Sequence, residues 1–329
     1  MTSRELVKKA LDFEITERIP LECPYNIGIE NDVQSPSYHY GRGKTQGTTY
    51  VKGSSIDAWG CIWVAAEDGV AGEVKEPPIE DWSALCSFRP PFDVLDEADL
   101  SDVNRQCGTT SKFMMRQWGI NPFERMQFLR GSENLFMDLA EMRNEVYKLR
   151  DMVHEFHLRE VEMWVKTDVD GIHIADDWGT QRSLLISPKL WRKFFKPLYK
   201  DYCDIAHSRG KYVMMHSDGY TKDIITDLIE IGVNAVNTQI DCMDVQKLSE
   251  LYHGKIVFWG GFDRQYLLPF GDESEIYDEV NRFARELLKY EKTGVVAQCF
   301  WDKGGKEANI RAYYDAWRKI ALTNIQVVI

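Results

Sequence analysis

The 329-residue chain lacks a cysteine pattern: its seven are an odd number, scattered, and none stands in C-x-x-C spacing. That argues against a disulfide framework and agrees with a reducing compartment. No run of about eighteen uncharged apolar residues is present, so no segment reads as a bilayer span. The opening "MTSRELVKKALDFEITERIPLEC" reads as an amphipathic helix charged throughout, without the apolar core of a secretory signal, and a cytoplasmic protein is expected. Positive charge is scarce. Lys and Arg number 40 against 52 Asp and Glu, the net charge is −12, and no basic cluster interleaves with aromatics. Nucleic acid and anionic membrane are therefore not expected as partners. A Walker loop, a G-x-S-x-G elbow and H-E-x-x-H are also missing, which removes the common nucleotide, serine-hydrolase and zincin readings. A small-molecule substrate is the expectation that remains.

What is present is alternation. From about Asn144 onward, helical periods and short apolar strands take turns: "NEVYKLRDMVHEFHLREVEMWVKT" then "DGIHIADD", "PKLWRKFFKPLYKDYCDIAHSRG" then "KYVMMH". "TKDIITDLIEIG" precedes "VNAVNTQ", "VQKLSELYHG" precedes "KIVFWGG", and "ESEIYDEVNRFARELLKYEKTG" precedes "VVAQC". Such repetition specifies a parallel sheet, and with "RIPLEC" and "KFMMRQW" as earlier strands it predicts an α/β fold, a (β/α)8 TIM barrel, as one domain over 1–329. The stretch from about 25 to 102, rich in Gly, Pro and Trp, reads as an insertion over the barrel mouth with a hairpin in "DAWGCIWVAAEDGVAGEVKEP". Its aromatic surface would suit a homodimer contact.

Barrel chemistry sits at the C-terminal strand ends. Here those ends carry Glu22 and Cys23, Arg116 to Trp118, Asp176 and Asp177, His216 and Asp218, Asn237 and Gln239, Asp263 and Arg264, and Gln298 and Cys299. His216, Asp218 and Cys299 are zinc-ligand types, and three protein ligands leave the open position that catalytic zinc needs. The competing reading has His216 bonded to a neighbouring strand, Asp218 capping a helix and Cys299 as a core thiol. Asp177, with His216 and Asp218, is a candidate acid or base, while Asp176 or Asp177 could equally close an Asx-turn. Arg116, Trp118, Trp178, Gln181, Gln239, Asp263 and Arg264 form the candidate substrate-contacting set, with an Asp263–Arg264 ion pair and tryptophan packing as the structural alternatives.

The blocks "SRELVKKALDFEITERIPLE", "DDWGTQRSLLISPKLWRKFFKPLYK", "HSDGYTKDIITDLIEIGVNAVNTQ" and "GKIVFWGGFDRQYLLPFG" together resemble the uroporphyrinogen decarboxylase superfamily along nearly the whole chain. The resemblance implies a (β/α)8 barrel and one of two activities: cofactor-free decarboxylation, or zinc-dependent methyl transfer with a corrinoid protein as partner. Decarboxylases of the family carry an arginine-rich motif after the first strand; here "PYNIGIENDVQ" has no arginine, and a chain of net charge −12 suits an eight-carboxylate substrate poorly. A typical uroporphyrinogen decarboxylase is not expected. The methyltransferase branch carries His-x-Cys and a later Cys; this chain matches at His216 and Cys299 and has Asp218 in place of the first cysteine. The leading expectation is thus a corrinoid-linked zinc methyltransferase. A metal-free lyase acting on a smaller carboxylic acid is the second, and a non-catalytic binding barrel the third.

Overall fold

The computed structural model describes residues 1–24, 27–40, 50–289, 294–299 and 304–320. Eleven strands are formed among them: β1 (Leu21–Glu22), β2 (Val33–Gln34), β3 (Gly53–Ile56), β4 (Ile62–Ala65), β5 (Glu73–Glu76), β6 (Phe113–Ile120), β7 (Gly171–Ala175), β8 (Tyr212–Ser217), β9 (Ala235–Thr238), β10 (Val257–Trp259) and β11 (Val295–Gln298). Eight of them make one parallel sheet in the order β1-β11-β10-β9-β8-β7-β6-β2, a nearly closed (β/α)8 barrel. Helices cross between successive strands: Asn144–Trp164 before β7, Lys196–Ser208 before β8, Lys222–Glu230 before β9, Val245–Tyr252 before β10 and Glu273–Leu287 before β11. None of the described helices is long and apolar enough to cross a membrane.

Strands buried on both faces read as continuous apolar runs, and β7 (GIHIA) is buried at every position. Alternate residues divide the core in two. Phe113, Met115, Met214, Ala235, Val257, Trp259 and Val296 fill the barrel lumen with Val7 and Leu11. Those last two come from the helix Ser3–Leu11, which a Thr2/Glu5 capping box starts and which plugs the lower end. The intervening strand residues, such as Ile172, Val213 and Val236, pack outward against the helices.

The barrel strand without a sequence signal is β2, which lies inside the stretch read as an insertion. Two residues long, it carries no periodicity of its own. What fixes it is Asp32: its side chain accepts from the Leu21 amide at 2.8 Å and takes both Arg18 guanidinium nitrogens at 2.7 Å, while its own amide donates to the Leu21 carbonyl. This fully buried carboxylate, held below its usual pKa by Arg18, Ser3 and the Leu21 amide against the opposing pull of burial, joins β1 to β2 where ladder bonds are missing. The remainder of the stretch holds the predicted hairpin as an antiparallel sheet in the order β3-β4-β5.

Candidate functional site

The ends of β7 and β8 are brought together by two glycines. A Cβ on Gly179 or Gly219 would collide with the other loop's backbone, and Gly219 has φ +76, so neither position accepts a side chain. With the loops in contact, Gly179 donates to the Asp218 carbonyl at 3.1 Å, Tyr220 donates to the Thr180 carbonyl at 2.8 Å and the Asp218 amide donates to Asp177 Oδ1 at 2.8 Å. The consequence is a cluster: single donor atoms of Asp177, His216 and Asp218 all lie within 4.8 Å of one another. His216 Nε2 stands 3.4 Å from Asp177 Oδ1 and 3.7 Å from Asp218 Oδ1.

The imidazole is fixed from behind. His216 Nδ1 lies 2.5 Å from Asn237 Oδ1, and the Asn237 amide group donates to Gln298 Oε1 at 3.3 Å and to the Trp259 carbonyl, so Oδ1 is the end left to accept. Nδ1 therefore carries a proton and Nε2 faces the carboxylates. Burial pushes the imidazole down, yet Asp177, Asp218 and Asn237 outweigh it and raise His216 to about 9. Partial burial raises Asp177, but the His216 contact and the Asp218 amide hold it below the usual range. Arg264 binds Asp218 on the far side. Two carboxylates are thus balanced by an imidazolium and a guanidinium.

Below the cluster, the upper lumen layer is polar. Glu22 accepts from Trp259 Nε1 at 2.5 Å and from Gln117, and burial raises it to about 7 against those two bonds. One layer lower, His173 Nδ1 accepts from the Trp118 amide at 3.4 Å, while its buried Nε2 has no partner among the described residues. Burial first, and then the charge of His216, hold His173 well below its ordinary pKa, so it is neutral. Glu124, in the first turn of the helix Pro122–Arg130, is raised to about 7 by burial and by Asp177. His173 and Glu124 lie inside elements whose apolar patterning masks them; His173 as the one polar residue in GIHIA was the available signal.

Trp118 closes one side. Its ring meets His216 edge-on at 5.3 Å and His173 at 5.0 Å, its side chain is 45% exposed, and its backbone φ of +61 is costly for a bulky residue. The bulge in β6 between Arg116 and Ile120 produces that turn. Gln181 and Gln239 meet over the cluster: Gln181 Nε2 donates to Gln239 Oε1 at 3.4 Å, and Gln239 Oε1 also accepts from the Gly219 amide. The Cys242 thiol donates to Gln181 Oε1 at 3.1 Å.

Four candidates sit differently from the expectation, and contacts distinguish Asp176 from Asp177. Cys299 is not in the cluster: Leu21 pairs with Ala297 and Glu22 with Gln298, so alternation turns Cys299 outward into the helix-side core with Cys23, where burial pushes its thiol up. Arg116 is fully buried, paired with Glu160 at 2.7 Å and bonded to Tyr40. Trp178 is buried too, stacked on Phe123 at 3.9 Å with Nε1 donating to Tyr199. Asp263 accepts from the Gln265 and Tyr266 amides and so shapes its own turn, leaving Arg264 to Asp218 instead. Asp176, unlike Asp177, is structural: it accepts from the Phe123 and Glu124 amides and from the Tyr199 hydroxyl, serving the helix that starts at Pro122.

Among solved structures, the chain is similar to a methyltransferase from Methanosarcina mazei, with a TM-score of 0.70, 16% identity, and 96% of this chain and 98% of that one covered. At that identity the likeness concerns the fold. A 3-keto-D-glucoside 4-epimerase from E. coli also aligns, with a TM-score of 0.34 and 12% identity over 65% of this chain and 97% of that one. No curated protein matches the sequence. The family model for uroporphyrinogen decarboxylase (URO-D) matches residues 120–298, a span that holds β7 to β11 and every residue of the cluster. With more than half of its length matched, the chain belongs to the uroporphyrinogen decarboxylase family.

Proposed function

We propose that the protein is a metal-dependent methyltransferase, and that the Asp177–His216–Asp218 cluster, rather than a set including Cys299, holds a divalent ion of the zinc class. The convergence of those three donors carries this reading. In tetrahedral zinc sites with bonds of about 2.0–2.1 Å, neighbouring ligand atoms stand roughly 3.3–3.4 Å apart. The 3.4 and 3.7 Å separations around Nε2 are close to that, and the Asn237 contact to Nδ1 orients the ring as outer partners of metal-bound histidines do. Ligation requires His216 to give up its Nε2 proton, while Asp218 can offer Oδ1 with Oδ2 still held by Arg264. When bound, the ion would supply Lewis acidity at an open position facing Trp118 and the two glutamines. Trp118 forms one wall, Gln181 and Gln239 offer amide groups to a polar substrate, and Glu124, raised to about 7 by burial and by Asp177, can exchange a proton near neutral pH. An oxygen-rich donor set passes less electron density to a bound thiol than a thiolate set does, which favours activation of a methyl donor's heteroatom over thiol acceptance.

The fold shared with the Methanosarcina mazei methyltransferase supports this assignment, and a separate corrinoid protein docking over the mouth is the proposed methyl carrier. The test is zinc-dependent methyl transfer followed by cobalamin's visible absorption: methylation of cob(I)alamin by methylated amines or ethers, with release of the demethylated amine or alcohol, and separately demethylation of methylcobalamin by thiols as acceptors. Turnover that disappears in His216→Ala supports the assignment; its absence with every metal and partner substrate contradicts it. A second reading rests on the balance of His216 and Arg264 against Asp177 and Asp218 without any ion: a metal-free lyase in which those carboxylates stabilise a protonated intermediate of a small acid. Carbon dioxide release in the presence of chelator would favour it.

A further inference from the structure

We propose that β3 is a dimerisation edge that pairs, antiparallel and about a two-fold axis through Ser55, with β3 of a second copy of this chain. The two edges of the β3-β4-β5 sheet differ. β5 ends the sheet with Glu73, Lys75 and Glu76, the charged residues that guard an edge against pairing. β3 is Gly-Ser-Ser-Ile, uncharged, solvent-facing and, among the described residues, paired on one side only.

Its register makes it self-complementary. Gly53, Ser54, Ser55 and Ile56 face Ala65, Val64, Trp63 and Ile62 of β4, and just beyond them the Asp57 amide donates to the Cys61 carbonyl at 3.1 Å. In an antiparallel ladder, bonded and non-bonded pairs alternate. Ser55 and Gly53 therefore bond inward to β4, and the N–H and C=O groups of Ser54 and Ile56 point out from the edge. Two such edges meet with Ser54 of one copy opposite Ile56 of the other, which joins all eight of these groups in four hydrogen bonds and puts the two Ser55 residues opposite each other on the axis. No other partner strand is needed, and the assembly closes at two copies.

The side chains agree with this arrangement. Ile56 is 66% exposed and Val64 37%, and both lie on the solvent face of the sheet with Ile62. In the paired arrangement Ile56 stands between its own Ile62 and Ser54 of the second copy, whose neighbour is Val64, so Ile62, Ile56 and the second copy's Val64 come together around Ser54 on the solvent face of the four central strands. A β5–β5 contact would instead bring Glu73 and Glu76 together. The proposal is independent of the metal and of the reaction.

The test is sedimentation velocity on the full chain from about 1 to 100 μM, together with Ile56→Lys, which puts charge on the edge, and Ser54→Pro, which removes an outward donor without touching the β4 ladder. The wild type should be a dimer at the upper concentrations, and each variant should weaken association at least tenfold with near-UV circular dichroism unchanged. Ser55→Cys, under mild oxidation, should give a covalent dimer in which peptide mapping finds the two copies joined through position 55 of each, because non-bonded antiparallel pairs bring Cα atoms to about 4.5 Å. A wild type that stays monomeric at 100 μM, or a dimer untouched by both edge substitutions and not cross-linked at position 55, overturns the proposal.

Discussion

His216 Nε2 lies 3.4 Å from Asp177 Oδ1, across the ends of two neighbouring strands, with its other nitrogen held by Asn237. Through this contact an imidazole that burial alone would keep neutral is charged in the folded protein, raised to about 9. The same contact defines where a metal would compete with a proton.

A pH dependence follows, and its sign is set. A histidine whose folded-state value lies above its unfolded 6.5 stabilises the fold fully below about pH 6.5, and that contribution is lost as pH rises through about 9. In metal-free protein, the His216 ring resonances should titrate near 9 by NMR and move downward in Asp177→Asn. The unfolding free energy should fall between about pH 6.5 and 9.5 by more in wild type than in His216→Gln. Titration near 6.5 in wild type would contradict the ion pair.

The adjacent aspartates should separate stability from function. Asp176→Ala leaves the buried amides of Phe123 and Glu124 and the Tyr199 hydroxyl without their acceptor, and a loss of about 1–3 kcal/mol for each unsatisfied group is expected in denaturant unfolding. Asp177→Ala removes the acceptor of one amide, that of Asp218, and the His216 contact, so it should cost less than Asp176→Ala while abolishing metal binding and turnover.

Arg116 and Glu160 form a buried pair at 2.7 Å, and the Arg116 guanidinium also donates to the Gln117 carbonyl at 2.5 Å, bracing the bulge that carries Trp118. Arg116→Met should destabilise by about 3–5 kcal/mol because Glu160 is left uncompensated. Adding Glu160→Leu should return a large part of that loss, which a double-mutant cycle of unfolding free energies measures directly. Additive losses would show that the two groups are not coupled.

The barrel was legible because helical and strand periods alternate in the sequence, and because polar residues gather where strands end. β2 was not, since two residues carry no period and their place is set by the side chain of Asp32. At the site, His216, Asp218 and Asp177 could be named from the strand ends, whereas their grouping without Cys299 depends on which face of β11 that residue takes, a parity fixed by the β1–β11 register. The sequence also could not distinguish Asp176 from Asp177. They sit one residue apart at a strand end, and only the position of the Pro122 helix determines which one is buried beneath its amides. The buried pairing of Arg116 was hidden for a related reason: the bulge shifts β6 between it and Trp118, so one faces the helix shell and the other is exposed.

The most direct measurement is zinc content by mass spectrometry after dialysis against a weak chelator, for wild type, Asp177→Ala, His216→Ala and Cys299→Ser. The account predicts about one zinc per chain in wild type and in Cys299→Ser, and loss in the other two. Zinc that is lost in Cys299→Ser but kept in Asp177→Ala would contradict it, as would a wild type that binds none when zinc is supplied.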